Sequence, residues 1–392
     1  MTGGDWRTVE EVVAGEPLLV ATRPGVFAHG EEDTSARLLA EHAIVHPGDV
    51  VVHLNCGNGL FGAAVHRAGV AGRVLLADRN VVSWEAARRT LIANGVDAPE
   101  VYLGQGAIPL PGDLAADVVA IRVPQEKLAL LQLLRDAFGI LKVGGACYLA
   151  GANNEGVKPA ARALERIFGN AAVLAHGGGH RVVVAEKRAD SPADASDLAD
   201  PLLRPDVFHE LDVVLRGRTF RLFSRPGVFS WDHLDEATGI LADHIEVSAG
   251  DSVLDLWCGS GPLGVLAATL ADDVRVTMVD ADAEAVRSAA RSAEAAGIRD
   301  ARLLTSDVAS AVLGERFDLV VTNPPFHVGK ATSLDLPLRF IADGWEVLAP
   351  GGRLFLVANR TLPYEQAIRH RFGNLRTLHD GQRFKVLSAV RR

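Results

Sequence analysis

At 392 residues the chain exceeds what one hydrophobic core usually covers, so two domains of ordinary size are expected. A formal net charge of −9 argues against a uniformly basic nucleic-acid binder. Three scattered cysteines, Cys56, Cys147 and Cys258, are too few for a disulfide framework or a zinc site. No run of eighteen apolar residues occurs, and Met1–Glu16 is mixed and acidic, without the apolar core of a signal peptide. The expectation is a cytoplasmic protein with no membrane and no metal among its partners.

Taken in chain order, the sequence is written twice. Arg23-Pro24-Gly25-Val26-Phe27 returns 202 residues later as Arg225-Pro226-Gly227-Val228-Phe229. His53-Leu54-Asn55-Cys56-Gly57-Asn58-Gly59 returns at the same offset as Asp255-Leu256-Trp257-Cys258-Gly259-Ser260-Gly261, and Asp78 returns as Asp280. Asp117–Pro124 faces Asp318–Pro325 at an offset of 201. Anchors in one order and nearly one register predict a tandem duplication. The first copy, residues 1–188, closes on predicted strands Ala172–Ala175 and Arg181–Ala185 around Gly177-Gly178-Gly179. Residues 189–206, rich in Asp, Ser, Ala and Pro without apolar periodicity, read as a linker.

The second copy, residues 207–392, opens on a predicted hairpin, Val207–Leu215 and Thr219–Ser224, around Arg216-Gly217. Strands then alternate with helices: Ser252–Leu256, helix Pro262–Leu270, Arg275–Val279, helix Ala283–Ala296, Ala301–Thr305, Phe317–Thr322, helix Leu338–Leu348 and Arg353–Ala358. A closing hairpin, Leu375–Leu378 and Phe384–Val390, flanks Asp380-Gly381. This order predicts an α/β fold, two tandem Rossmann-like domains, each a mainly parallel twisted sheet with helices on both faces and an antiparallel end. Residues 353–392 hold nine Arg or Lys against Glu365 and Asp380, a surplus able to bind phosphates or simply to form a solvated face.

Functional residues gather at the predicted strand ends. The loop Asp255–Gly261 joins a buried strand to a helix, where a ligand can approach backbone closely, although it has only two of the three glycines of the dinucleotide pattern. Asp280 ends the next strand, where a carboxylate can accept from ribose hydroxyls. Asp307 follows the third strand and suits an adenine amino group or, as the plainer reading, a helix N-cap. The fourth strand runs into Asn323-Pro324-Pro325-Phe326. Two prolines force the backbone out of the sheet in a stiff turn. An amide, a backbone carbonyl and an aromatic face are thereby held where they could grip an amino group on a flat ring. The alternative is an ordinary loop that contains two prolines.

This set resembles the S-adenosylmethionine-dependent class I methyltransferases. With the duplication, the Arg-Pro-Gly-Val-Phe-Ser lead-in and Asn323–Lys330, it resembles more narrowly the bacterial ribosomal RNA guanine-N2 methyltransferases, over nearly the whole chain. The resemblance implies S-adenosyl-L-methionine held by Phe229, Asp255, Cys258, Gly259, Ser260, Gly261, Asp280, Ala281, Asp307, Val308 and Asn323. It implies catalysis by Asn323, Pro324, Pro325 and Phe326, with His327 and Lys330 as substrate contacts. The implied reaction is methyl transfer to the N2 amino group of a guanine in ribosomal RNA, 16S ahead of 23S, on single-stranded or flipped-out nucleotides. The first copy has His53 for the loop acid and Arg122-Val123-Pro124-Gln125 for the tetrapeptide, so it is read as degenerate, with Arg122 and Lys127 as substrate-binding cations or as mere structure. The expected partner is ribosomal RNA or a ribosomal subunit, met by a monomer that is its own pseudo-dimer. Adenine-N6 or protein-glutamine methylation on the same fold, and a non-catalytic RNA-binding module, stand as alternatives.

Overall fold

The computed structural model describes residues 6–192, 196–325 and 335–392. The chain separates into two compact units, one ending at Val207 and the other beginning at Phe208. The first opens with β1 (Arg7–Val13), β2 (Glu16–Thr22) and α1 (Thr34–His42). It continues through β3 (Val50–Leu54), α2 (Leu60–Ala68), β4 (Arg73–Asp78), α3 (Val81–Ala93) and β5 (Glu100–Leu103). β6 (Ala116–Arg122), α4 (Lys127–Ile140), β7 (Leu141–Ala152), α5 (Val157–Phe168), β8 (Ala172–Gly177) and β9 (His180–Glu186) complete it.

The second unit repeats this order. It has β10 (His209–Leu215), β11 (Arg218–Ser224), α6 (Glu236–Ala242), β12 (Ser252–Leu256), α7 (Pro262–Ala267) and β13 (Arg275–Asp280). Then come α8 (Ala283–Ala295), β14 (Arg302–Thr305), β15 (Phe317–Thr322) and α9 (Asp335–Val347). β16 (Leu348–Asn359), α10 (Tyr364–Phe372), β17 (Arg376–Asp380) and β18 (Phe384–Val390) follow.

Each unit is built on one seven-stranded sheet, in the orders β5-β4-β3-β6-β7-β9-β8 and β14-β13-β12-β15-β16-β18-β17. The first five strands of each order pair in parallel and the last two join antiparallel. Both faces are covered, which is why the central strands read as unbroken apolar runs. Val253, Val321 and Val357 belong to the core on one face of the second sheet, and Leu254, Val320 and Leu356 to the core on the other. Chain order reverses between β12 and its two neighbours, β13 and β15, and a crevice opens beyond their carboxyl ends.

The hairpin β1–β2 sits at the same offset of 202 as β10–β11, and both turn on a pair of residues at positive φ, Ala14-Gly15 and Arg216-Gly217. The fifth parallel strand begins earlier than its predicted start at Arg353. Leu348 already pairs with Phe317, and the register then slips so that Arg353 pairs with Leu319. Pro350-Gly351-Gly352 thus forms an irregularity within the strand, with Gly351 at φ 82°. A Cβ on Gly352 would sit 2.9 Å from the Phe317 and Ala349 carbonyl oxygens. The three cysteines are free and buried. No helix among the described residues is long and apolar enough to cross a membrane.

The repeated Arg-Pro-Gly-Val-Phe segment is anchored by a buried ion pair. Arg225 is 0% exposed, and its Nε donates to Glu284 Oε2 at 3.2 Å from the first turn of α8. Arg287 donates to the other oxygen at 2.7 Å, and both guanidinium groups lie over the Phe208 ring at 5.7 and 5.6 Å. Removing one member of such a pair leaves a desolvated charge. Glu284→Ala should therefore destabilise the second unit by about 3–5 kcal/mol, measured by chemical denaturation of the full chain.

Candidate active site

The crevice of the second unit is lined by Leu211 and Leu222 of the hairpin, by Phe229, Ser230, His233, Leu234, Asp235 and Thr238 after it, by the loop Trp257–Ser260, by Pro262 and Leu263, and by Asn323. The loop is shaped by its backbone. Trp257 and Gly259 have φ of 73° and 56°, and Gly261, at 86°, opens α7 with its Cα side pressed against α8. A Cβ on Gly261 would lie 3.1 Å from the Ala289 side chain. Asp280 secures the loop from β13: its Oδ2 accepts from Gly259 N and its Oδ1 from Asp282 N, both at 2.9 Å.

Asn323 stands where β15 leaves the sheet. Its Nδ2 donates to Asp235 Oδ2 and to Thr238 Oγ1, each at 2.9 Å. Both amide hydrogens are thereby used, and the amide orientation is fixed. The Oδ1 is buried and has no hydrogen-bond partner among the described residues. A buried acceptor left open at the wall of a crevice is suited to an N–H donor brought in by a ligand.

Of the residues that the sequence places at the cofactor, the crevice brings together Phe229, Cys258, Gly259, Ser260 and Asn323. Phe229 is 60% exposed, a large aromatic face left uncovered at the rim. The other members of the set form the wall behind. Asp255 is fully buried in β12, where its Oδ2 accepts from Gly264 N at 2.8 Å and so ties the strand to α7. Burial pushes its carboxyl up from 3.8 to about 7, moderated by that hydrogen bond and reinforced by the charge of Asp280. Ala281 and Val308 are buried, the latter at φ 50° in the core of the opposite face.

Asp307 is held by Arg339, whose Nη1 and Nη2 donate to its two oxygens at 3.2 Å. The short helical turn that follows has Ala309 at its N-cap, and the Ser306 hydroxyl accepts from Ala311 N within it at 3.0 Å. Pro324 is buried and Pro325 half-buried, while Phe326, His327 and Lys330 lie outside the described residues. Sequence reasoning passed over Asp235 and Thr238. Asp235 and its counterpart Asp33 share the offset of 202 and both cap a helix, a signal that was there to be read.

The first unit keeps the frame and fills the space. Asp78 holds Gly57 N and Asn80 N at 2.9 Å, as Asp280 holds its loop. Arg122, at the position of Asn323, turns inward. Its Nη2 donates to Asn55 Oδ1 at 3.2 Å, its guanidinium lies 4.1 Å over the Phe27 ring, and its Nε would sit 3.6 Å from a Cβ on Gly57. Burial pushes the carboxyls of Asp33 and Asp78 up, and the Arg122 cation pulls both back. Arg122 is thus engaged within its own unit, and Lys127 alone of the two is exposed. His53 replaces Asp255 as a neutral core ring, edge-on to Phe61 at 5.1 Å, its protonation suppressed to about 3 by burial and by Arg122.

Four of the nine cations in the basic C-terminal segment stand in ion pairs. Arg353 pairs with Asp251, Arg360 with Asp380, Arg383 with Glu236 and Lys385 with Glu365. Arg371 and Arg391 stack on Trp345 at 4.4 and 4.2 Å. Its surplus of charge is therefore a weaker phosphate-binding surface than the count of residues suggests.

The chain matches the family described as Methyltransferase small domain over residues 17–184 and again over 219–388. It is 33% identical over 286 residues to the ribosomal RNA small subunit methyltransferase C of Hahella chejuensis, spanning 72% of this chain and 80% of that protein. It is likewise 33% identical over 316 residues to the ribosomal RNA large subunit methyltransferase G of Streptomyces avermitilis, spanning 79% of each. Among solved structures it is similar to a T. thermophilus 16S rRNA N2 methyltransferase in complex with AdoMet and guanosine, with a TM-score of 0.81, 29% identity and 98% of both chains covered.

The raised Asp255 carboxyl carries a signed consequence. Between its ordinary value of 3.8 and about 7 the folded unit keeps a proton that the unfolded chain has released, so stability falls as pH rises through that window. Asp255→Asn should flatten the fall, with a gain on the order of ~2–4 kcal/mol at pH 8 and little difference at pH 4. Denaturation curves at the two pH values measure it.

Proposed function

Because this chain belongs to the methyltransferase small domain family, we propose that its second unit transfers a methyl group from S-adenosylmethionine to the N2 amino group of a guanine in ribosomal RNA, 16S ahead of 23S. The relatives named for both ribosomal subunits support the substrate class. The neighbour that spans the whole chain, named for 16S RNA and solved with AdoMet and guanosine, favours the small subunit and guanine.

The observation that carries the chemistry is the open Oδ1 of Asn323, fixed by two hydrogen bonds through the same amide. The residues present suit the cofactor: an exposed Phe229 face at the rim, the glycine loop Trp257–Gly261, and Asp280 behind it, which holds that loop through Gly259 N. S-adenosylmethionine, when bound, supplies an electrophilic methyl group on a sulfonium cation. Asn323 Oδ1 accepts one N–H of the guanine amino group, which orients that nitrogen and concentrates electron density on it. An amide oxygen is a poor base, so its part is to position and polarise, and the proton displaced from nitrogen passes to solvent. An oxygen acceptor at this point selects an amino group over a carbonyl, whose lone pairs it would oppose.

The first unit has no such acceptor. Arg122 stands in its place and occupies the space beside Gly57, so this unit supports the enzyme without performing transfer.

Two measurements test the proposal. Asn323→Ala should lower kcat on small-subunit RNA by about 10²–10³-fold, the loss typical of one preorganised hydrogen-bonding group, with N2-methylguanine absent from mass maps of the product. An unchanged methylation level would sink the assignment. Calorimetric titration of the full chain with S-adenosylhomocysteine should give one site per chain, and two sites would overturn the reading of the first unit.

A further inference from the structure

We infer that Asp235 and Thr238 are positioning residues that hold the Asn323 amide with its oxygen toward the substrate. The inference rests on the reading of Asn323 as the acceptor and adds how that acceptor is kept in place. A primary amide is nearly symmetric in shape, and a half-turn about its last bond exchanges oxygen for NH2. The turned form would present donors to an amino group, and the site would repel its own substrate.

Three side chains prevent the turn by a closed set of hydrogen bonds. Asn323 Nδ2 has two hydrogens, one given to Asp235 Oδ2 and one to Thr238 Oγ1, both at 2.9 Å. Thr238 Oγ1 gives its single hydrogen to Asp235 Oδ2 at 3.1 Å, and Thr238 N gives another to the same oxygen at 2.9 Å. Every donor in the ring is used, and the carboxylate is the common acceptor. In the turned form Asn323 Oδ1 would face that carboxylate, acceptor against acceptor, and the threonine would lose its donor. The negative charge behind the NH2 also polarises the amide and enriches the oxygen on its other side.

The first unit separates this duty from helix capping. Asp33 caps α1, its Oδ1 accepting from Ala36 N at 3.0 Å, just as Asp235 caps α6. Where the second unit has Thr238 the first has Ala36, and where it has Asn323 the first has Arg122. The capping aspartate occurs in both units, whereas the hydroxyl occurs only beside the amide. Capping requires the carboxylate alone, and the threonine is explained by the amide.

Thr238→Val is nearly isosteric and keeps the backbone bond to Asp235, so it removes the ring without removing the cap. It should lower kcat about tenfold, the equivalent of one hydrogen bond, with KM for RNA and the calorimetric affinity for S-adenosylhomocysteine within about twofold of the parent. Thr238→Ser should restore kcat. A readout independent of turnover is the side-chain NH2 pair of Asn323 in full-length protein labelled with 15N-asparagine, identified by its disappearance in Asn323→Ala. One of its two protons should move upfield in Thr238→Val and return in Thr238→Ser. Should kcat and this pair both stay unchanged in Thr238→Val, the inference is overturned while the role of Asn323 stands. Full activity in Asn323→Ala would instead remove the reading beneath it.

Discussion

One carboxylate at the end of the second parallel strand holds each unit's site together. Asp78 and Asp280 each accept two backbone N–H groups at 2.9 Å, one from the glycine loop and one from the residue two positions on. The bond to the loop fixes where the chain leaves the central strand, and the other fixes the start of the next helix. With both ends pinned, the loop adopts left-handed backbone at Gly57, Gly59, Gly259 and Gly261, and the following helix packs against its neighbour too closely for a side chain. A Cβ on Gly59 would come within 2.8 Å of the Ala87 backbone. This arrangement survived in both copies, which marks it as a demand of the fold before any demand of catalysis.

What separates the copies lies two strands over. In both, an aspartate at the start of the first helix of the sheet domain faces the end of the fourth strand. The second unit answers it with a neutral amide that leaves an oxygen free, and the first with an arginine whose charge offsets part of the cost of burying the carboxylate. The counterpart aspartates thus hold an amide in one unit and face a cation in the other. The buried pair of Arg225 and Glu284 adds the outer support, anchoring the segment that carries Phe229 to the rim of the crevice.

Much of this was legible because the sequence repeats itself. Aligning the copies located the parallel strands, the glycine loops, the closing hairpins and Asn323. The same offset would have found the β1–β2 hairpin, whose polar, weakly alternating strands give little signal alone. Pro350-Gly351-Gly352 reads as a turn, yet it is an irregularity inside a strand, because pairing with β15 across a register slip outweighs local preference. At the site, position at the strand ends singled out Asp255, Asp280 and Asp307, but not the backbone groups and the arginine that hold them. A carboxylate that accepts from backbone N–H and one that faces a ligand look alike in sequence; only burial and partners distinguish them. The offset of 202 marks Asp235 as a cap, but its contact with Asn323 and that of Thr238 join residues 85 to 88 positions apart, which sequence does not show.

The inward turn of Arg122 has a consequence for how the two halves respond to their surroundings. In the first unit the Arg122 cation offsets part of the cost of burying Asp33 and Asp78, and does so from within the chain. The second unit keeps an open acceptor and an uncovered aromatic rim, so any molecule that binds there raises its stability by mass action. On the proposed reading, a fall in cofactor supply would lower the stability of the second unit.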